Sequence, residues 1–295
     1  MVVVGYSLSP GGLLFPWHIG VLSGLSYNGV LNNENPLAGS SAGAIAVASH
    51  GAGVKPEVAL EATIRMSEES GYMGGARGNL LPLLQKELDF ILDDDVHEVL
   101  NNREGFVGLA YKELFPFNRA ILDTQFDDRD HVIDSVCNSS MFPFFTSNFP
   151  CRIARKTKDH EGLILPRIAV DGFFTVDRDR FGCPCFNTMT HARDDLKVDR
   201  TVTVSCLPNA VSLNASDEHN QISPLVEEDS IGQMQNLLRL ATQCGDRKDY
   251  SKLYEDGFQD AERWIKEEED RGYLQLPREL KREMYSKAIS SKDLN

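Results

Sequence analysis

The chain has 295 residues, 41% of them hydrophobic, and carries a formal net charge of −14. This length suits one large α/β domain or two small ones, and we expect one because no Pro-, Ser- or Gly-rich linker divides the chain. The acidic balance argues against nucleic acid as a partner and against general attraction to anionic membranes. The six cysteines form no C-x-x-C pair, so we expect reduced thiols and neither a metal nor a cofactor.

The start of the chain predicts a βαβ unit. Residues 1–7 are apolar and rich in valine, as in a buried strand, and a glycine-rich turn follows at residues 9–12. Apolar positions at helical spacing predict a helix over residues 15–31, and residues 36–38 predict a second short strand. Parallel strands joined in this way place the loops that follow them at the same edge of the sheet.

The second strand leads into the pentapeptide Gly39-Ser40-Ser41-Ala42-Gly43, which has the G-x-S-x-G pattern of a nucleophile elbow. In such an elbow a strand turns sharply into a helix and leaves the serine exposed, and glycines make room for the turn. The small residues at 42–50 predict the helix that must follow. Ser41 is therefore a candidate nucleophile.

The first glycine-rich turn is predicted to lie beside this elbow. The backbone N–H groups of Gly11 and Gly12, at the start of a helix, could hold an oxyanion. The alternatives are a phosphate-binding loop and a plain turn. Neither G-x-G-x-x-G nor G-x-x-x-x-G-K-[ST] is present, so we favour the oxyanion.

A serine nucleophile needs a base, and Asp171 is the first candidate. It follows the apolar segment 163–170 and precedes a glycine, although an aspartate that caps a turn would fit the same pattern. An α/β-hydrolase would instead use serine, aspartate and histidine in that chain order, and His191 and His219 follow Asp171. In that fold several strands normally precede the elbow, whereas here only one can.

The remaining elements continue an α/β pattern. We expect residues 1–205 to form the α/β domain and residues 206–295 to add a helical extension packed on it. Helices are predicted at 56–66, 80–92, 127–136 and from 229 onward, including 250–271 and 278–289, and strands at 105–114, 118–124, 163–170 and 201–205.

The chain resembles the patatin-like phospholipase family in four motifs that appear in the family's order. They are SPGGLLFPWHIGVL at 9–22, GSSAG at 39–43, CNSSMFP at 137–143 and VDG at 170–172. The resemblance covers roughly residues 1–205. It implies a three-layer α/β/α fold around a central, mostly parallel sheet, with C-terminal helices compatible with it.

The resemblance also implies a function, that of a lipid acyl hydrolase with a Ser–Asp dyad and no histidine. Such an enzyme forms an acyl-enzyme and passes the acyl group to water. An acyltransferase that passes it to an alcohol, and a catalytically weak lipid-binding or regulatory protein, are the alternatives. Carried over, the roles are Ser41 as nucleophile, Asp171 as base, the backbone of Gly11, Gly12 and Leu13 as oxyanion hole, and Gly39 and Gly43 as the elbow glycines.

Two positions depart from the family pattern. The family's oxyanion loop usually reads Gly-Gly-x-Arg or Gly-Gly-x-Lys before a further glycine, whereas Leu13-Leu14-Phe15 follows the glycines here. The backbone donors remain, but the cation is absent. Phe173 stands where the family usually has glycine or alanine, and we expect it to narrow the cleft beside Asp171.

The implied substrate is a phospholipid, galactolipid or acylglycerol at a membrane or lipid-droplet surface. No run of 18 apolar residues predicts a transmembrane helix, and no charged leader precedes the first strand. We therefore expect a cytoplasmic protein or one peripheral to an intracellular membrane. Residues 141–145 and 181–186 are candidate lipid contacts, with a buried core or cleft wall as the alternative for both.

Overall fold

The computed structural model describes residues 2–158, 164–177, 180–189, 197–208, 220–226 and 228–274. The strands are β1 Val4–Leu8, β2 Leu37–Ser40, β3 Val107–Phe115, β4 Arg119–Asp123, β5 Arg152–Lys158, β6 Ile164–Val170, β7 Arg200–Val204 and β8 Gln221–Ile222. The helices are α1 Phe15–Tyr27, α2 Ala42–Gly51, α3 Pro56–Tyr72, α4 Leu80–Ile91, α5 Val96–Asn101, α6 Arg129–Ser139, α7 Ser230–Thr242 and α8 Arg247–Asp270.

The strands form one mixed sheet with the order β5-β6-β3-β2-β1-β7-β8, and β4 also pairs with β3. The pairings among β3, β2, β1, β7 and β8 are parallel. Those that join β4 and β6 to β3, and β5 to β6, are antiparallel. The predicted class, an α/β fold with a central and mostly parallel sheet between helices, is confirmed.

Strands β2 and β6 meet end to end along one edge of β3. On β3, Ala110 pairs with Ser40 at the end of β2, and Lys112 pairs with Val170 at the end of β6. Strand β4 pairs with β3 over the same stretch and takes its opposite edge. The C-terminal ends of β2 and β6 therefore approach each other from opposite directions, and the residues that follow them are brought together.

The two faces of the sheet pack against different partners. Leu37 and Leu109 belong to the large core formed with the helices. The next residue on each strand points to the opposite face. There Ala38 and Ala110 pack with a smaller cluster that includes Phe186. The short segment before β7 thus covers this part of the second face.

Helices α1 and α8 cross at very close range through glycines. A Cβ atom at Gly20 would lie 2.1 Å from the carbonyl oxygen of Tyr254, and one at Gly257 would lie 2.1 Å from that of Trp17. The indole Nε1 of Trp17 donates to Asp260 at 2.9 Å. The charged C-terminal helix is therefore tightly anchored to the helix that follows the first glycine-rich turn.

Most predicted elements are present, with shifted ends. Helix α1 ends at Tyr27 rather than residue 31, because Asn28 caps it and Gly29 turns the chain with a φ of 68°. Helix α5 was not predicted because it has only six residues. Strand β5 was not predicted because it is an edge strand rich in arginine and lysine. The helix expected at 278–289 lies outside the described residues. In the described part of the chain, no helix is long and apolar enough to cross a membrane.

Candidate active site

Ser41 occupies a sharp junction between β2 and α2. Its φ of 53° and ψ of −119° lie in a region that side-chain-bearing residues rarely adopt. Such strain persists only where the surrounding structure enforces it, and it clusters at functional sites. The residue is 8% exposed. The chain thus makes a strained turn at Ser41, and a nucleophile elbow requires such a turn.

The two elbow glycines are required by close backbone contacts. A Cβ atom at Gly39 would lie 2.2 Å from the carbonyl carbon of Gly43. One at Gly43 would lie 2.6 Å from the carbonyl oxygen of Leu8 on β1. Neither position has room for a methyl group, because the obstructing atoms belong to the backbone.

Ser139, at the end of α6, holds the elbow from the side. The backbone N–H of Ser41 donates to the Ser139 hydroxyl oxygen at 2.8 Å. The same hydroxyl donates to the carbonyl oxygen of Ala110 on β3 in a short hydrogen bond. Sequence reasoning included Ser139 in a family motif but gave it no role, since its contacts depend on how α6 packs against the sheet.

Asp171 lies where β6 ends and a 3-10 turn, Gly172–Thr175, begins. Its backbone N–H donates to the carbonyl oxygen of Met141 at 2.9 Å, and its Oδ1 accepts the N–H of Phe173 at 2.8 Å. A Cβ atom at Gly172 would lie 2.7 Å from the Cβ of Ser40. The end-to-end meeting of β2 and β6 therefore places Asp171 beside the serine elbow.

The carboxyl group of Asp171 is fully buried and has one uncommitted oxygen. Burial raises its pKa to about 7, against the opposing effects of the Phe173 N–H and the Ser41 hydroxyl. The hydroxyl is therefore close enough to stabilise the carboxylate, yet Oδ2 has no partner at normal hydrogen-bond geometry among the described residues. Catalytic hydrogen bonds are often loose before substrate binds. Oδ2 is the atom that could receive a proton from Ser41.

No histidine of the described ranges hydrogen-bonds to Ser41 or Asp171. Burial lowers the pKa of His18 to about 3 and that of His50 to about 4, so both are neutral near pH 7. The two alternative triad members, His191 and His219, lie outside the described residues.

The first glycine-rich turn lies against the elbow, as predicted. A Cβ atom at Gly11 would lie 3.6 Å from the Cβ of Ala42. Gly11 precedes a 3-10 turn, Gly12–Leu14, whose first hydrogen bond runs from the N–H of Leu14 to the carbonyl oxygen of Gly11 at 3.1 Å. The N–H groups of Gly12 and Leu13 precede that bond and have no acceptor within the turn. They could donate to an anion beside Ser41.

Gly12 also contacts the C-terminal part of the chain. Its φ is 56°, and a Cβ atom there would lie 2.3 Å from the carbonyl oxygen of Ala241 in α7. Cys206, just after β7, supports the preceding residues, since its thiol donates to the carbonyl oxygen of Pro10 at 3.2 Å. The conformation of the turn is thus fixed from two sides.

Two small, largely apolar cavities that share lining residues lie between α3 and α4, and Ser41 lines the first of them. One, of about 30 Å³, is lined by Ser41 and Ser140. The other, of about 40 Å³, extends toward Ile91 at the end of α4. Both are lined by Gly12, Leu13, Ile45, Met66 and Leu84. The serine therefore lies at one end of an apolar path.

The two segments proposed for lipid contact differ in burial. In the first, Met141 is buried, whereas Phe142 and Phe144 are exposed. In the second, residues 182–184 and Phe186 are buried, which fits the alternative of a core or cleft wall. The ring of Phe173 packs 6.1 Å from that of Phe142, so its side chain joins an aromatic cluster next to Asp171.

The strained turn at Ser41, the buried carboxyl group of Asp171 and the glycine-rich turn lie together at one edge of the sheet. The profile of the family described as patatin-like phospholipase matches residues 6–175. The chain belongs to this family, whose members are lipid acyl hydrolases. A comparison with curated protein sequences found no match. Among solved structures, the crystal structure of VipD from Legionella pneumophila is similar with a TM-score of 0.47 and 10% identity, over 90% of this chain and 67% of that chain.

Proposed function

We propose that this protein is a serine lipid acyl hydrolase that cleaves fatty acyl esters of phospholipids or other glycerolipids through a Ser41–Asp171 dyad. One observation carries the proposal. A serine held in a strained elbow lies next to a fully buried carboxyl group with one uncommitted oxygen. Family membership supports the class of reaction.

The first half of the reaction forms an acyl-enzyme. Asp171 Oδ2 accepts the hydroxyl proton as Ser41 Oγ attacks the ester carbonyl carbon. The N–H groups of the oxyanion turn, at Gly11, Gly12 and Leu13, stabilise the negative oxygen of the tetrahedral intermediate. When the intermediate collapses, the C–O bond to the alcohol breaks and Asp171 returns the proton to the departing oxygen.

The second half releases the fatty acid. Asp171 Oδ2 accepts a proton from water, whose oxygen attacks the acyl carbon, and the same N–H groups stabilise the second oxyanion. Collapse breaks the ester bond to Ser41, and Asp171 returns the proton to Ser41 Oγ. An aspartate with an ordinary pKa near 3.9 would be a weak base for both steps. Burial brings the pKa of Asp171 to about 7, near the working pH at which a general base is most effective.

The apolar path next to Ser41 supports an acyl chain as the group that is recognised. Its two cavities, of about 30 and 40 Å³, are lined mainly by leucine, isoleucine and methionine side chains. Each is on the scale of a water molecule or two, so α3 and α4 have to separate when a long chain enters. The alcohol part of the ester would then lie on the side of Asp171 and Phe173.

We also propose that residues 1–205 are the catalytic domain and that residues 206–295 form an extension packed on it. Two contacts support this division. Helix α7 touches the oxyanion turn at Gly12, and α8 packs on α1 through Gly20 and Gly257.

The test is fatty-acid release from phospholipids, galactolipids, lysolipids and triacylglycerol by the wild-type protein and by Ser41→Ala and Asp171→Asn. We expect both variants to lose several orders of magnitude in turnover, up to about 10⁶-fold for the serine. Ser49→Ala is the control, because Ser49 is a buried serine of the same helix region whose hydroxyl has no described partner. Retained activity in Ser41→Ala would refute the proposal.

Labelling with a fluorophosphonate separates the remaining alternatives. We expect wild-type protein to be labelled at Ser41 and Ser41→Ala to be unlabelled. Labelling without fatty-acid release, but with acyl transfer to an added alcohol, would identify an acyltransferase. Absence of labelling in folded wild-type protein would favour the non-catalytic alternative.

A further inference from the structure

Exposed aromatic side chains lie in the loop between α6 and β5. Phe144 and Phe149 are 55% and 68% exposed, and Phe142 is exposed between them and the site. Phe174, three residues after Asp171, is also exposed, and its ring centroid lies 5.5 Å from that of Phe142. Each of these residues is within three positions of Ser140, Thr146 or Asp171, which belong to the site or line its cavity. Large apolar side chains therefore cluster on the surface beside Ser41.

The loop between α3 and α4 extends this cluster. Met73, the first residue of this loop, is exposed. The two loops are bonded to each other, since the backbone N–H of Gly78 donates to the carbonyl oxygen of Phe145 at 2.6 Å. One turn further along, the N–H of Leu81 donates to the carbonyl oxygen of Thr146 at 2.8 Å, beside the cavity. We call the exposed set the aromatic rim: Met73, Phe142, Phe144, Phe149 and Phe174.

Charge is nearly absent from the two loops that carry Met73, Phe142, Phe144 and Phe149. One quarter of the chain is Asp, Glu, Lys or Arg, yet residues 137–151 contain none of these, and residues 70–85 contain only Arg77. Arg77 is exposed, donates to the carbonyl oxygen of Phe144 at 3.2 Å, and forms no ion pair with a described residue. A protein of net charge −14 thus keeps its acidic groups out of these two loops and leaves one cation there.

These properties match the surface of a lipid bilayer. Aromatic rings with an apolar body favour the zone between headgroups and acyl chains, and an arginine binds phosphate well. The strong negative charge of the whole chain disfavours an anionic surface. We propose that the aromatic rim docks the protein on a zwitterionic phospholipid bilayer, with Arg77 on a headgroup phosphate. This proposal rests on the proposed function, because docking here would bring lipid esters to Ser41.

The test is flotation of the full chain with phosphatidylcholine vesicles. We expect the wild-type protein to float and Phe144→Ser/Phe149→Ser to bind at least about tenfold more weakly, because two exposed rings no longer enter the bilayer. Val2→Ser is the control. Val2 is 66% exposed but precedes β1, whereas Ser41 and the glycine-rich turn lie beyond the other end of that strand, roughly 20 Å away. Arg77→Gln should weaken binding several-fold, and Arg77→Lys less.

A second readout separates docking from chemistry. With a water-soluble short-chain ester, the double variant should hydrolyse as fast as the wild type, because no bilayer is involved. Absence of soluble-ester hydrolysis in the wild type would refute the proposed function, while flotation still tests the rim. Flotation of the double variant at the wild-type level, or failure of the wild type to float, would overturn the docking proposal. The docking proposal would also be overturned if light scattering showed the wild-type protein to be a dimer and the double variant to be a monomer.

Discussion

The backbone N–H of Ser41 and the hydroxyl of Ser139 are joined by a 2.8 Å hydrogen bond across two elements that lie almost 100 residues apart in the chain. The Ser139 hydroxyl in turn donates a hydrogen bond to the carbonyl oxygen of Ala110. The position of the candidate nucleophile is thus tied directly to the central strand β3 rather than to its own loop alone.

Replacing Ser139 should therefore affect both stability and turnover. Ser139→Ala leaves two buried backbone groups unpaired, which costs roughly 1–3 kcal/mol for each. Turnover of a soluble ester should fall roughly 10- to 100-fold, because the serine loses a fixed position. Ser49→Ala, which removes a buried hydroxyl with no described partner, should change neither quantity much. Chemical denaturation and steady-state kinetics measure both, and equal behaviour of the two variants would contradict the role given to Ser139.

The pH dependence of activity should follow Asp171. Only the carboxylate can accept a proton, and burial raises the pKa of this group to about 7. We expect kcat/KM for a soluble ester to rise with pH and to level off above about pH 7. A profile already flat from pH 5 upward would mean that Asp171 is ionised at that pH, and would contradict the effect of burial.

The same shift predicts an effect on stability. Since the folded-state pKa lies above the unfolded value near 3.9, the unfolded chain gives up this proton first as pH rises. Burial of Asp171 therefore does not lower the free energy of unfolding below about pH 4. Its destabilising effect grows between about pH 4 and pH 7 and is constant above that range. Asp171→Asn removes the penalty, so its gain in melting temperature over the wild type should be larger at pH 8 than at pH 5. A gain that does not change between these two pH values would contradict the prediction.

Two glycine substitutions should have opposite effects. Gly43→Ala places a methyl group 2.6 Å from the carbonyl oxygen of Leu8, so we expect a loss of roughly 3 kcal/mol or more in unfolding free energy. Gly71→Ala lies in α3 with no atom within 4 Å of the new Cβ and should stabilise the protein by about 0.5–1 kcal/mol. Thermal denaturation of the pair measures both. Equal melting temperatures would show that the elbow relaxes.

Local features of the site could be predicted from the sequence. The G-x-S-x-G pattern, a preceding apolar strand and a following run of small residues single out Ser41 within a dozen positions, and Ser41 does lie between a strand and a helix. The glycine-rich turn at Gly11 was placed beside it by the handedness and shortness of a βαβ unit, and it does lie against Ala42. Short-range geometry was sufficient for both.

The position of Asp171 required information that a single sequence does not carry. Its strand β6 runs antiparallel to β3 and meets β2 end to end, whereas periodicity reports burial but not direction. The role of Ser139 likewise depends on the packing of α6. Helix α8 was expected to pack on the α/β domain, but the residues that make the contact, Gly257 among them, could not be predicted, because close helix crossings use glycines that no apolar repeat reveals.

The contact between Ala241 and Gly12 bears on where the working unit of this chain ends. The family profile stops at residue 175, but the carbonyl oxygen of Ala241 lies against the glycine-rich turn at Gly12. A fragment trimmed to the matched region would expose that turn and the glycine face of α1. We therefore expect the smallest active fragment to extend at least to the end of α8 at Asp270. Recombinant truncation or domain grafting then has to retain both α7 and α8.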